Sequence, residues 1–307
     1  TFLDLDPDNT YSIAETVPAG LDLITSNCTG SNTPAEITPN AGEVITCTFT
    51  NEADANIVVV KQTDPDGDTT VFNFNRSYGA DVGLSDGQSS DSGDLAPGTY
   101  SVSEDVPAGW DLTSATCDDG SDPASIGLTA GETVICTFTN QKDAFIIVEK
   151  QTDPDGDPQV FDFDLSYGDG DADLSDGQTD NSGDLDPGTY SVAENTPAGW
   201  DLESAVCSDG SSPASVSLQA GETVTCVFTN EKDAKIVVEK QTLPNGSPES
   251  FEFDPSYAVN FFLTDGQQKD SGDLDPGTYS VSELAETGWD LTSTICTSSL
   301  GGSESAA

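Results

Sequence analysis

Short apolar runs alternating with polar residues recur along this chain, and no run is long enough for a membrane span. In "IIVEK" (146 to 150), Ile146, Val148 and Lys150 fall on one side of an extended strand, with Ile147 and Glu149 on the other, because side chains two apart share a face. "IVVEK" at 236 to 240 divides in the same way, Ile236, Val238 and Lys240 opposing Val237 and Glu239. In "TYSVSE" (99 to 104), Tyr100, Val102 and Glu104 align against Thr99, Ser101 and Ser103. In "TVICTFTN" (133 to 140), Val134, Cys136, Phe138 and Asn140 share one side. Turn clusters "DPDGD", "SDGQ" and "DPGT" punctuate these runs. Strands broken by turns about every eight to twelve residues indicate an all-β sandwich.

The whole pattern repeats. "TYSVSEDVPAGWDLTSATC" from 99 returns as "TYSVAENTPAGWDLESAVC" from 189, and Cys28, Cys117, Cys207 and Cys296 recur every 89 or 90 residues. A period of that length is a small domain in tandem. The domains read as a partial repeat over 1–52 that lacks its opening strands, complete repeats over 53–141 and 142–231, and a partial repeat over 232–307 that lacks a closing strand and ends in a Gly/Ser tail. The junctions "NEADANI", "NQKDAFI" and "NEKDAKI" are too short for a flexible tether, which predicts a linear rod.

Three polar residues keep register with the apolar side of their strands. Lysines stand at 61, 150 and 240, glutamates at 15, 104, 194 and 283, and asparagines at 51, 140 and 230. An unpaired polar group in a core costs about 1 to 3 kcal/mol and an unpaired charge more, so such groups should satisfy one another. Dry surroundings favour the neutral amine of lysine and the protonated carboxyl of glutamate. An acid that polarises the asparagine carboxamide and moves protons as the amine attacks would weld the first strand to the last by an isopeptide bond, with release of ammonia. The competing reading places the same residues at the rim of the sandwich in ordinary ion pairs and turns.

"LAPGTYSVSEDVPAGW" resembles the E-box of Cna-B-type, prealbumin-like (SpaA-like) repeats of bacterial surface adhesins and pilins, while "IVVEKQT" and "TFTN" resemble their lysine and asparagine strands. The resemblance covers nearly the whole chain. It implies Ig-like β-sandwich domains and an autocatalytic crosslink of Lys61 to Asn140 promoted by Glu104, and of Lys150 to Asn230 promoted by Glu194. In the partial repeats, Glu15 and Glu283 hold the acid position, and Lys240 and Asn51 are candidates for an intermolecular bond. A pair of cysteines in each of the first three repeats departs from the family pattern.

Spacing assigns those cysteines as Cys28–Cys47, Cys117–Cys136 and Cys207–Cys226, each nineteen residues apart, which suits an oxidising, extracellular compartment. Buried free thiols are the alternative. Cys296 has no mate in its repeat, and zinc is disfavoured by the absence of histidine and of any CxxC. Trp110 and Leu112 are out of phase with Cys117, so a bulge is expected between them. Trp110, Trp200 and Trp289 read as core plugs, with Leu21 in that place in the first repeat.

Eight basic against 56 acidic residues, a formal net charge of −48, argue against binding to nucleic acid or anionic lipid and leave cations as the charged partners. "TDPDGD" offers Asp64, Asp66 and Asp68, and again Asp153, Asp155 and Asp157, as oxygen ligands for calcium, although Pro-Asp-Gly is also ordinary turn chemistry. No cofactor is required. Without histidine, a Ser–His–Asp set or a phosphate-binding loop, an enzyme acting on external substrates finds no support. The chain begins Thr1-Phe2 and has no Met, which reads as a start lost to a signal peptidase or a segment of something longer. The expected role is an extracellular structural protein, either a filament subunit assembled head to tail by strand complementation or the stalk of a cell-surface adhesin. A window of a longer repeat array explains the partial ends equally well.

Overall fold

The computed structural model describes residues 5–7, 9–168 and 170–299, so the end of the Gly/Ser tail and Asp169 lie outside the described residues. Every named element is a β-strand. No helix among the described residues is long and apolar enough to cross a membrane. The chain divides into two compact units. One comprises Thr1–Phe145, Asp184–Gly188 and Leu218–Thr223; the other comprises Ile146–Gly183, Thr189–Ser217 and Val224–Ala307.

In the second repeat the first strand, Asn56–Asp64, lies beside the last, Thr133–Lys142, and the two run parallel. The sheet is completed by Ser89–Asp91 on one edge and Trp110–Cys117 on the other. Facing strands Val82–Leu84, Phe72–Arg76 and Val102–Asp105 form a three-stranded sheet, and Gly98–Tyr100 pairs with Ile126–Leu128. The third repeat repeats the order, with Thr179–Asn181, Phe145–Asp153, Thr223–Lys232 and Trp200–Cys207 in one sheet.

Alternation decides what goes inside. Along Asn56–Asp64, Ile57, Val59, Lys61 and Thr63 are buried while their neighbours face partly outward. Along Thr133–Lys142, Val134, Cys136, Phe138 and Asn140 are buried. Aromatic edges close the core: Phe74 meets Phe138 and Phe72 meets Trp110 in T-shaped contacts at 5.1 and 5.2 Å between centroids. Phe163 with Phe228 and Phe161 with Trp200 do the same in the third repeat. Trp110 and Trp200 are buried core plugs, and Trp289 is partly buried against Phe251.

The bulge is where the phase problem places it. Ser114 opposes Thr139 and Leu112 opposes Asn140, so Thr113 is the extra residue. That single insertion turns both Trp110 and Cys117 inward, although seven positions separate them. Glu203 and Ile24 occupy the same place in the strands Trp200–Cys207 and Leu21–Cys28. After the bulge the cysteines fall opposite one another on adjacent antiparallel strands, and Cys28–Cys47, Cys117–Cys136 and Cys207–Cys226 are disulfide-bonded. Cys296 is free and exposed.

Two outcomes follow for thiol chemistry and stability. A thiol reagent added to the native, unreduced protein should label Cys296 and no other cysteine, as read by mass after digestion. Replacing Cys207 and Cys226 by Ala should cost about 3 kcal/mol of unfolding free energy, the closure entropy of a loop of this size.

Candidate functional site

Lys61 sits opposite Phe138 in the parallel register, and Asn140, two residues on, points to the same side. A long side chain therefore reaches diagonally across the pair. Lys61 Nζ donates to Asn140 Oδ1 at 2.6 Å, to the Gln62 carbonyl at 2.7 Å and to the Phe138 carbonyl at 3.4 Å. Glu104 arrives from the opposite sheet, where Phe74 is its cross-strand partner, and places Oε1 at 3.4 Å from the amine. Lys61 and Asn140 are 0% exposed. In the third repeat, Lys150 Nζ donates to Asn230 Oδ1 and to the Gln151 carbonyl, each at 2.6 Å, and Glu194 Oε1 lies at 4.0 Å.

Burial lowers the amine's pKa at both Lys61 and Lys150, against the opposing pull of Glu104 and Glu194. Burial likewise raises the carboxyls of Glu104 and Glu194, outweighing the lysine that acts against it. Both partners move toward their neutral forms. Both oxygens of each glutamate and the Nδ2 of Asn140 and Asn230 are buried without a hydrogen-bond partner. Each such orphan costs about 1 to 3 kcal/mol. The set is thus crowded, dry and unsatisfied, which is unlike a stable ion pair.

The partial repeats hold matching halves. Asn51 Nδ2 donates to Glu15 Oε1 at 2.7 Å, and Asn51 Oδ1, the atom that accepts the lysine in complete repeats, is buried without a partner. Lys240 Nζ lies at 2.9 Å from both oxygens of Glu283.

A feature absent from the sequence reading is the aromatic floor. Lys61, Lys150 and Lys240 each place Nζ over a ring, Phe72, Phe161 and Phe251, at 4.0, 4.1 and 4.0 Å from the centroid. The signal was present: each phenylalanine follows its lysine by eleven positions.

The acidic turns are organised differently from a calcium loop. Asp68 pairs with Lys142 at 2.9 Å and Asp157 with Lys232 at 2.7 Å, while Asp64 accepts from Gln141 at 3.3 Å. The structure does not bring Asp64, Asp66 and Asp68, or Asp153, Asp155 and Asp157, together as one carboxylate group; among the described residues Asp201, Asp233 and Asp275 do come together. The turn is held instead by a downstream residue. Asp86 accepts from Thr63 N at 2.7 Å and from Gly67 N at 2.8 Å, and Gly67 has the positive φ of 81° that glycine alone adopts freely. Asp176 and Asp265 repeat this at Thr152 with Gly156 and at Thr242 with Gly246.

With this geometry in hand, family models for a prealbumin-like fold domain match residues 57–142 and 146–232, and a second model of the same description matches 8–53. The chain belongs to the SpaA-type prealbumin-like fold domain family. Its tandem prealbumin-like repeats are similar to the Bacillus anthracis TIE protein at 17% identity, over 79% of this chain and 49% of that one, with a TM-score of 0.33. They are similar to the T-13 major pilin of Streptococcus pyogenes at 16% identity, over 59% and 98%, with a TM-score of 0.28. For the pilus adhesin SpaC of Lactobacillus rhamnosus GG the identity is 15%, over 81% and 40%, with a TM-score of 0.26. The prealbumin-like chain thus spans about half of the TIE protein. No curated protein matches the sequence.

The turn lock yields a pH-dependent expectation. Backbone donors hold Asp176 below the usual carboxylate pKa, so its contribution is present above about pH 4 and lost as pH falls through the folded value. Asp176→Ala should cost about 2 kcal/mol in denaturant unfolding at neutral pH. The difference from the parent should shrink as acid is added.

Proposed function

We propose that this chain is a structural segment of a bacterial cell-surface filament or adhesin stalk, in which each complete repeat crosslinks itself. The observation that carries this reading is the lysine amine 2.6 Å from the asparagine carboxamide oxygen, beside a buried acid, in two successive repeats. The family membership and the three disulfides support an extracellular setting.

The reaction needs no external reagent. The neutral Nζ of Lys61 attacks Cγ of Asn140 while the Glu104 carboxyl hydrogen-bonds the carboxamide oxygen and stabilises the developing charge. The carboxylate then carries a proton from Nζ to Nδ2, the C–Nδ2 bond breaks and ammonia departs. One amide bond forms and one breaks, and Glu104 regains its proton. Lys150, Asn230 and Glu194 react likewise. Each site turns over once, so the chain is not an enzyme toward other molecules.

The mechanical consequence follows from topology. Tension entering the first strand at Lys61 would pass to the last strand at Asn140, and the segment from Gln62 to Thr139 would leave the force path. Covalent bonds would bear the load that hydrogen bonds otherwise carry.

A second reading, assembly between copies, is favoured by the halves in the partial repeats. Asn51 offers an unpaired carboxamide oxygen beside Glu15, and Lys240 lies beside Glu283. A strand exchanged head to tail would complete both sets. No nucleic acid or inserted membrane enters either reading. Denaturing, reducing gels distinguish them: a ladder of covalent multimers supports Lys240–Asn51 bonding, and a single monomer band supports the stalk.

Intact mass is the decisive measurement for the crosslink. The reduced parent should lack one ammonia for each complete repeat. Glu104→Ala should restore one of them and Glu104→Ala with Glu194→Ala both, with a lower unfolding temperature. A parent at its unmodified mass would end the proposal.

A further inference from the structure

In the complete repeats one strand serves both neighbours. Cys136 lies opposite Cys117 on one side and is bonded to it, and four residues on, Asn140 accepts from Lys61 on the other side. Cys226 and Asn230 stand in the same relation to Cys207 and Lys150. Between them Phe138 and Phe228 point inward and meet Phe74 and Phe163 edge to face. A strand of the pattern V-x-C-x-F-x-N therefore fills one groove and reaches both of its walls.

The fourth repeat presents that groove uncovered. Its facing sheet, Phe261–Leu263, Phe251–Pro255 and Val281–Glu283, keeps the order of the second repeat. In the other sheet the first strand, Val237–Glu239, pairs with Gln268–Asp270, and among the described residues no strand pairs with its second edge. The inner face registers the gap. Ile57 and Val59 are fully buried, whereas Ile236 and Val238 at the same positions are partly exposed. Phe253, in the place of Phe74, stacks on Phe261 at 5.4 Å and 11° where Phe74 meets the closing-strand Phe138.

Two reactive groups border the gap. Lys240 is 8% exposed and lies 2.9 Å from both oxygens of Glu283, the oxygens that lack a donor in Glu104 and Glu194. Trp289 holds the place of Trp110, its ring 5.3 Å from Phe251 in the same T-shaped contact, so the segment after it leaves from the position at which Trp110–Cys117 begins. Beyond that point Ile295 is 82% exposed and Cys296 is a free, exposed thiol, whereas Cys117 and Cys207 are buried in disulfides.

The occupant is defined by these walls. Residues 300–307, LGGSESAA, contain no cysteine, asparagine, phenylalanine or valine and do not match the pattern. Cys47–Ala53 carries Cys47, Phe49 and Asn51 at the right spacing, but Cys47 is bonded to Cys28, so that strand meets only the lysine wall while the disulfide lasts. A separate closing strand whose cysteine is available meets both.

We propose that the fourth repeat is a receptor for an extended strand of the pattern V-x-C-x-F-x-N, held by a disulfide to Cys296 and an amide bond to Lys240. The strand adds beside Val237–Glu239 with its phenylalanine opposite Lys240 and its cysteine opposite Cys296, as Phe138 stands opposite Lys61 and Cys136 opposite Cys117. Main-chain hydrogen bonds give the register, and the phenylalanine covers Phe253. The disulfide forms by exchange with a small oxidised disulfide: the Cys296 thiolate displaces one small thiol, the strand's thiolate displaces the other, and one disulfide is reduced as one is made. At Lys240 the Nζ–Cγ bond forms, the asparagine C–Nδ2 bond breaks and ammonia leaves. The amide bond rests on the crosslinking proposed for the complete repeats; the docking and the disulfide do not.

The probe is a synthetic peptide with the sequence of residues 221–232, GETVTCVFTNEK, its cysteine carried as a mixed disulfide with glutathione. It is incubated with the full, unreduced chain, and intact mass is followed before and after reduction. One peptide per chain should join Cys296 with release of glutathione. The rate should exceed that of a scrambled peptide by about tenfold or more, because docking raises the local concentration of the reacting sulfur. After reduction, a species at the mass of chain plus peptide less one ammonia should remain, joined at Lys240. Asn230→Ala in the peptide should leave the disulfide alone, and Cys226→Ser the amide bond alone. Equal rates for the native and scrambled peptides would overturn the proposal, as would a reduction-resistant adduct on lysines other than Lys240. If the parent chain sits at its unmodified mass and capture at Cys296 remains selective, the crosslinking reading fails and the docking stands. If the parent has lost its ammonia and capture is unselective, the docking fails and the crosslinking reading stands.

Discussion

The constraint on which this molecule turns is the burial of a lysine amine between two sheets. An ammonium in that position would face a desolvation penalty of several kcal/mol, and the single carboxyl nearby cannot offset it while both of its own oxygens lack donors. The pocket resolves the conflict by drawing amine and acid toward neutrality and by presenting the amine to a carboxamide. Aromatic rings beneath the amine complete the dry wall. What looks like a defect in a hydrophobic core is the condition that the proposed crosslink requires, an amine drawn toward its neutral form.

Topology then gives that chemistry its meaning. The first and last strands of each complete repeat lie side by side, parallel in the second repeat, so residues far apart in sequence occupy adjacent positions in one sheet. The disulfide ties the same last strand to its other neighbour through Cys136 or Cys226. The last strand is therefore the common member of both covalent systems, one formed and one proposed. Its alternating burial, with valine, cysteine, phenylalanine and asparagine all inward, reflects that double duty.

The large acidic excess is distributed rather than uniform. Some aspartates shape turns through backbone N–H groups, as Asp86, Asp176 and Asp265 do. Others pair with lysines that rest on tryptophan faces: Lys142 lies 5.4 Å from the Trp110 ring and Lys232 lies 5.2 Å from Trp200. Charge of one sign is tolerable on a solvated surface, where screening acts within about 10 Å.

Much of this was legible in the linear sequence. Period-two alternation placed Lys61, Glu104 and Asn140 on inward faces, and the phase of Trp110 against Cys117 required a bulge. These features are local or periodic, and steric rules for extended strands act locally. The structure alone settled the matters that depend on which strand lies next to which. Parallel pairing of first and last strands set the diagonal from Lys61 to Asn140, and the sheet opposite set how closely Glu104 approaches. In "TDPDGD", Asp68 and Asp157 pair with Lys142 and Lys232, and Asp86 holds the turn at Gly67, all from positions that no local spacing announces.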